Sequence, residues 1–163
     1  MAEIKLVRVD FRLIHGQIVN KWIKVKQCNR IVVIDDTLAS NEFMKKVYFM
    51  SAPPGVKVDI YTIDQAITNW SNNQFGNGSL LILFKNVNTA VRCYQKGLNF
   101  STLQIGGLGA APGRKIVFGP ITLDKTDFES LLDLQNQGVD VIFHQVPDEK
   151  SEDFESIAKR VTF

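Results

Sequence analysis

The sequence predicts an α/β fold in which βαβ units surround a largely parallel sheet. Short apolar runs rich in β-branched residues alternate with segments whose apolar residues recur at helical spacing. One run, residues 80–84, is apolar throughout, as expected of a central strand covered on both faces. The chain has 163 residues, 45% of them hydrophobic and 22% charged, which is typical of one compact domain. We therefore expect a single domain spanning residues 1–163.

Seven strands are predicted, each a short run bounded by polar, Gly or Pro residues. In chain order they cover residues 4–9, 30–35, 56–61, 80–84, 102–105, 115–118 and 139–143. The segments between several of them carry apolar residues at helical spacing. The first two helices have the stripes Ile18, Val19, Trp22 and Ile23, and Phe43, Met44, Val47 and Tyr48.

Capping signals place the later helices. A capping box is predicted at Thr62 and Gln65, and another at Thr126 and Glu129, with Gly138 as the stop of the second of these helices. We expect the last helix to start near Ser151 with an acidic first turn, Glu152 and Asp153.

Composition excludes several classes of protein. The formal charge of +2 is too small and too scattered to predict a nucleic-acid partner. Cys28 and Cys93 lie far apart without a metal-ligand pattern, so buried, reduced thiols and no metal site are expected. The first residues lack an apolar signal region, and no apolar run is long enough to cross a bilayer. These features favour a cytoplasmic protein.

Chemistry in open α/β sheets collects where strands end, and His15 follows the first strand directly. A neutral imidazole is a competent nucleophile near neutral pH. The helix start at Gly16 and Gln17 offers N–H groups that favour an anion. Arg8 and Arg12 carry guanidinium groups that match phosphoryl oxygens. Together these residues describe a phosphoryl-accepting histidine.

The residue types leave a structural alternative open for the same loop. Asp10 could orient the ring of His15 or fix one arginine. In the alternative, His15 only caps the helix and Arg8 pairs with Asp10 for stability. The two interpretations have similar weight on residue types alone.

Other constellations are less specific. His144 ends the last predicted strand, where a structural histidine is common. Asp35, Asp36 and Lys85 resemble an aspartyl-phosphate receiver site, but the third strand offers no acceptor aspartate at its end. The glycine-rich segment 106–113 matches neither a dinucleotide-binding fingerprint nor a P-loop, which favours a flexible loop that shapes the site.

Residues 8–18, Arg-Val-Asp-Phe-Arg-Leu-Ile-His-Gly-Gln-Ile, closely resemble the active-site segment of enzyme IIB subunits in the mannose, fructose and sorbose family of bacterial sugar phosphotransferase systems. Further landmarks follow in the right order along the chain, at residues 33–36, 52–58, 83–86 and 105–107. The resemblance implies an open, mainly parallel β-sheet with helices on both faces.

The resemblance also implies a mechanism. His15 would take a phosphoryl group from a phosphohistidine of the IIA protein and pass it to a sugar held by the membrane subunits IIC and IID, with a sugar 6-phosphate as the usual product and Nδ1 as the favoured ring atom. By position, Arg8 and Arg12 would steady the phosphoryl group, Asp10 would orient, and Gly16 and Gln17 would supply donors. No cofactor is needed. The protein would work at the cytoplasmic face of the membrane.

Two positions depart from the commonest family pattern. Phe11 replaces a residue that is often acidic, and Gln104 and Ile105 stand where an Asn often precedes the Gly-Gly turn. Phe11 is expected to be an exposed aromatic residue of the loop and part of a docking surface. Rival interpretations are a non-catalytic adaptor of the same fold and a receiver-like module based on Asp36. The resemblance is to systems for several sugars, among them mannose, fructose, sorbose and N-acetylgalactosamine.

Overall fold

The computed structural model describes the backbone of residues 1–163 and every side chain except those of Gln17 and Ile18. It contains nine strands and seven helices. The strands are β1 Glu3–Asp10, β2 Arg30–Ile34, β3 Lys57–Tyr61, β4 Ser79–Phe84, β5 Thr102–Gly107, β6 Lys115–Phe118, β7 Ile121–Leu123, β8 Asp140–Phe143 and β9 Glu152–Asp153. The helices are α1 Gly16–Lys26, α2 Asp36–Ala39, α3 Glu42–Met50, α4 Ile63–Asn73, α5 Val87–Gln95, α6 Lys125–Asn136 and α7 Phe154–Arg160.

Seven strands form one sheet in the order β3-β2-β4-β1-β5-β8-β9, and only the short edge pair β8-β9 is antiparallel. Strand β4 lies inside the sheet, and Leu80 to Phe84 have no exposed surface, so the predicted central strand is confirmed. The register aligns the ends of neighbouring parallel strands, with Asp10 opposite Gly107 and Ile34 opposite Phe84. The carboxyl edge of the sheet therefore gathers the predicted loops.

Helices cover both faces of the sheet because side chains alternate along each strand. One face of β4, with Leu81 and Leu83, packs against α1, α2 and α3, which bury Trp22 and Leu38. The other face, with Ile82, packs against the helices α4 to α7. An open, mainly parallel sheet between two helical layers confirms the expected fold class.

The seven predicted strands all occur, and their ends either coincide with the observed ends or differ from them by one or two residues. The predicted strand 115–118, however, pairs with β7 in a separate antiparallel hairpin and does not extend the main sheet. The predicted capping box at Thr62 and Gln65 is present. The apolar residues predicted to form the inner face of the second helix, now α3, only partly face the core. No residue of α3 is buried, and Phe43 is 74% exposed.

Two predicted helix starts are wrong. Helix α6 is capped by Asp124, whose side chain accepts from the backbone N–H of Asp127, so Thr126 and Glu129 do not form the cap. The last helix begins at Phe154, because Glu152 and Asp153 pair with β8 as an edge strand and Asp153 caps the helix. Helix α5, which starts after the cap at Asn86, has no counterpart among the predicted elements.

Candidate active site

The loop between β1 and α1 is a tightly anchored turn. The backbone N–H of Phe11 donates to the carbonyl of Gly107, and that of Leu13 donates to the carbonyl of Asp10. Leu13 adopts a left-handed conformation (φ 56°), which is uncommon for a residue other than glycine. The side chains of Leu13 and Ile14 are buried in the core beside the sheet. These contacts fix the backbone that presents His15.

His15 is held by Asp10. Its Nε2 lies 2.9 Å from Oδ2 of Asp10, and its side chain is 18% exposed while that of Asp10 is fully buried. An ionised carboxylate can only accept, so Nε2 carries the proton and Nδ1 is the unprotonated nitrogen of the neutral ring. His15 stands at the N-cap position of α1, but its side chain makes no capping hydrogen bond. The contacts therefore do not support the interpretation that the side chain of His15 only caps the helix.

Asp10 remains ionised because donors surround it. Oδ2 accepts from Nη2 of Arg8 (3.1 Å), and Oδ1 accepts from the backbone N–H (3.1 Å) and Nε (3.2 Å) of Arg12. Burial raises the pKa of Asp10, but the hydrogen bond from His15 and the charge of Arg8 oppose this, and the net pKa lies well below its usual value. Asp10 thus presents a permanent negative charge to His15.

Arg8 lies behind Asp10 with no exposed surface. Nη1 donates to Oε1 of Gln104 (2.6 Å) and to the carbonyl of His144 (2.9 Å), and Nη2 donates to Asp10 and to the carbonyl of Gln145 (3.0 Å). Burial lowers the pKa of Arg8 and the charge of Asp10 opposes this; arginine nevertheless stays charged in proteins. With both terminal nitrogens occupied inside the protein, these contacts favour a supporting role for Arg8 over direct contact with a phosphoryl group.

Side chains of β1 occupy the space beside Gly106 and Gly107 at the end of β5, so these positions require glycine. A Cβ added to Gly106 would lie 1.9 Å from Cζ of Arg8, and one added to Gly107 would lie 2.7 Å from Oδ1 of Asp10. Only glycine leaves room for the two charged groups. The predicted flexible loop therefore begins with two residues that are tightly packed in a strand.

Arg12 and Phe11 form the outer rim of the site. Arg12 keeps 36% of its side chain exposed while Nε binds Asp10, and its carbonyl accepts from the hydroxyl of Tyr48 (3.4 Å). The ring of Phe11 is exposed, as predicted; it packs beside Gly109, and the guanidinium of Arg12 lies 5.4 Å from its centroid. Phe11, Arg12 and Ile116 line an apolar groove of about 330 Å³.

The remaining predicted residues lie at two places, the start of α1 and the end of β8. Gly16 begins α1 with a positive φ of 38°, next to His15, while the side chain of Gln17 lies outside the described residues. His144 lies at the end of β8, where its Nε2 bonds the carbonyl of Glu149 (2.8 Å), as expected of a structural histidine.

The receiver-like alternative has little support in the structure. The carboxylate of Asp35 caps α2 by accepting from Leu38 N, and that of Asp36 accepts from Ile63 N. Among the described residues, no cluster of three His, Cys, Asp or Glu side chains could hold a metal ion. Both carboxylates already serve helix ends.

Sequence reasoning missed the supports behind Arg8. Gln104 was noted only as a departure from the family pattern, yet its buried amide binds the guanidinium. Trp22 was assigned to the core stripe of the first helix, yet its indole N–H donates to the carbonyl of Gln145 (2.8 Å). The sequence feature that could have indicated these supports is an arginine inside a buried strand, since a buried charge requires several hydrogen-bond partners.

The sequence matches the profile of the PTS system sorbose subfamily IIB component over residues 4–163. The chain belongs to this family. Members of the family are phosphoryl carriers in sugar uptake and have phosphotransferase activity, so this IIB protein is a component of a sugar phosphotransferase system. These findings favour the carrier over the adaptor and receiver-like alternatives.

Three known proteins illustrate the similarity. The sorbose-specific EIIB component of Klebsiella pneumoniae is 32% identical over 137 residues, 84% of each chain. The crystal structure of manxB from Thermoanaerobacter tengcongensis superimposes with a TM-score of 0.92 at 38% identity and covers 98% of this chain and 97% of that one. The mannose-specific EIIAB component of Escherichia coli K12 is 28% identical over 88% of this chain and 44% of its own length.

Proposed function

We propose that His15 is the phosphoryl carrier of this IIB protein and that Nδ1 is the atom that bears the phosphoryl group. The observation that carries the proposal is the 2.9 Å hydrogen bond from Nε2 of His15 to the ionised carboxylate of Asp10. It occupies Nε2 with a proton, so the lone pair of the neutral ring lies on Nδ1.

Two transfers then balance without a cofactor. In the first, the P–N bond of a phosphohistidine on a IIA protein breaks as a bond forms between phosphorus and Nδ1, while the proton stays on Nε2, hydrogen-bonded to the carboxylate of Asp10. The buried negative charge of Asp10 stabilises the positive charge that develops on the ring as its lone pair is donated. In the second, a sugar hydroxyl oxygen bonds to phosphorus, its proton leaves to solvent, and the bond to Nδ1 breaks.

Four residues besides Asp10 assist His15 in this scheme. Arg12, exposed at the rim and held by Asp10, neutralises the phosphoryl oxygens. The N–H groups at the start of α1, at Gly16 and Gln17, donate to the same anion, since the side chain of His15 does not cap them. Arg8 acts from behind by holding Asp10.

The family supports a proposal for the partners and the location of this protein. The IIB family works with IIA proteins and membrane IIC and IID subunits, and in the EIIAB relative one name covers both the A and B components. We infer that this chain takes its phosphoryl group from a IIA protein and delivers it to a sugar bound by IIC and IID at the cytoplasmic face of the membrane. Within the described residues, no helix is long and apolar enough to span a bilayer.

The test incubates the protein with labelled phosphoenolpyruvate, enzyme I, the histidine-containing carrier protein and candidate IIA proteins. Wild type and His144→Ala are expected to reach the same final stoichiometry of label, and His15→Ala is expected to remain unlabelled. The label should be lost in acid and kept in base, as phosphohistidine chemistry requires. Persistent labelling of His15→Ala, or a label that is lost in base, would contradict the proposal.

A further inference from the structure

Trp22 lies on the helix that His15 begins. It follows His15 by seven residues, which is two helical turns, or about 10 Å along α1. Its side chain is almost fully buried, and it is the largest side chain that α1 directs toward the end of β8. Packing alone would explain an apolar residue here, but the polar edge of the indole is also used.

The contacts of Trp22 converge on the residues that hold Arg8. The indole N–H donates to the carbonyl of Gln145 (2.8 Å), which also accepts from Nη2 of Arg8. The guanidinium of Arg8 lies 5.7 Å from the centroid of the indole, and the ring of His144 meets the indole edge-on at 4.8 Å. Trp22 thus touches both Arg8 and the backbone segment that binds it.

These contacts close a ring that begins and ends at His15. From His15 the path follows α1 to Trp22, crosses to the carbonyl of Gln145, passes to Arg8, reaches Asp10 and returns to Nε2 of His15. Each link is a covalent helix segment or a hydrogen bond between largely buried groups. A closed ring restrains the imidazole more than the single bond to Asp10 does, because movement of Arg8 would also have to break contacts with α1.

We propose that Trp22 is a positioning residue for phosphoryl transfer: its indole N–H fixes the 144–145 segment, which fixes Arg8 and Asp10 and so the ring of His15. This inference rests on the proposed role of His15. Trp22 touches no reacting atom, so it acts on the maximal rate of transfer and not on recognition of the donor. The side chain supplies both the N–H donor and the aromatic face beside the guanidinium.

The test uses phosphoramidate as a small phosphoryl donor that needs no partner protein. Its P–N bond breaks as the bond to His15 forms, and ammonia leaves. Trp22→Phe keeps an aromatic ring and removes the N–H. Trp70→Phe is the matched control, because Trp70 lies in α4 and packs on Phe75, outside the ring of contacts. Trp22→Phe is expected to lower the maximal rate about two- to tenfold, the effect of one net hydrogen bond, with an unchanged half-saturating concentration.

A closer isostere removes the influence of packing. In the Trp70→Phe protein, the remaining tryptophan can be replaced by benzothienylalanine, which exchanges the indole N–H for sulfur at nearly constant shape. The same loss of rate is expected, and this protein carries the test if Trp22→Phe fails to fold. A double-mutant cycle with Asp10→Asn then asks whether Trp22 acts through Asp10, in which case Trp22→Phe has no further effect in that background.

The outcomes separate this inference from the proposed function. If wild type takes no label on His15 from phosphoramidate or from a IIA protein, the carrier role itself fails. If wild type is labelled and the benzothienylalanine protein reacts as fast as its Trp70→Phe parent, the positioning role of Trp22 is wrong. Equal losses with and without Asp10→Asn, or a change in half-saturation alone, would also overturn it.

Discussion

Replacing Gly106 by alanine tests the packing behind the candidate active site most severely. The added Cβ would fall 1.9 Å from Cζ of Arg8 and within 2.3 Å of both terminal nitrogens, so the guanidinium has to leave its site. It would abandon its bonds to Gln104, to Asp10 and to two carbonyls. Breaking a buried ion pair costs about 3–5 kcal/mol. The reduced entropy of the unfolded chain returns about 0.4–1 kcal/mol, which leaves a loss of about 2–5 kcal/mol.

Two neighbouring glycines provide a graded control for this substitution. At Gly107 the new Cβ would lie 2.7 Å from Oδ1 of Asp10, and at Gly109 it would lie 3.3 Å from the ring of Phe11, which is exposed and can move. Urea unfolding followed by circular dichroism should rank the losses Gly106→Ala, Gly107→Ala, Gly109→Ala, with the last within about 1 kcal/mol of wild type. If Gly106→Ala is as stable as Gly109→Ala, Arg8 is not confined as described.

Three further predictions follow from the same geometry. Phe11→Ala should slow phosphorylation by a IIA protein but not by phosphoramidate, because the exposed ring serves docking; equal rates with both donors would refute this. Burial raises the pKa of Cys28 to about 11 and that of Cys93 to about 12, so both thiols should react slowly with iodoacetamide at pH 8 in the folded protein and rapidly in urea. Asp10, whose pKa is lowered on folding, should stabilise the protein fully above its unfolded pKa of about 3.9 and lose this contribution only as the pH falls through its lower folded value. Carbon-13 NMR of its carboxyl group measures this pKa, and a midpoint at or above about 3.9 would contradict the expectation.

The periodicity of apolar residues was sufficient to predict six of the seven strands of the main sheet. Residues 80–84 are apolar on both faces, and only an interior strand buries both faces, so the centre of the sheet was evident. The segment 115–118 also reads as a strand, but its alternation does not show which partner it pairs with. Its antiparallel partner β7 has three residues, too few for a periodic signal.

Local sequence gave less information where tertiary contacts compete with helix signals. Glu152 and Asp153 suit the first turn of a helix, yet in the structure they pair with the edge of β8 as a short strand. At the start of α6, both Asp124 and Thr126 are good caps, and Arg114 binds the carboxylates of Asp124 and Asp127, which favours the earlier position. Such long-range ion pairs cannot be read from spacing.

The sequence predicted which residues come together at the candidate site, but not that Arg8 lies buried beneath it. His15, Asp10 and Arg12 do converge, because Asp10 ends β1 and the loop turns back on it. Arg8 was expected to steady the phosphoryl group, but its side chain is fully buried. It stands between two buried valines in a strand covered on both faces, so its side chain can only enter the core, where Gln104 and two carbonyls from another strand end receive it.

The most direct test of the account is to locate the phosphoryl group on the ring. Nitrogen-15 NMR of the histidine-labelled, phosphorylated protein should show coupling between phosphorus and Nδ1 of His15, while Nε2 keeps its proton and its hydrogen bond to Asp10. Coupling to Nε2 would contradict the central claim, because it would require the bond between Nε2 and Asp10 to break. A phosphoryl group on any other residue would contradict it as well.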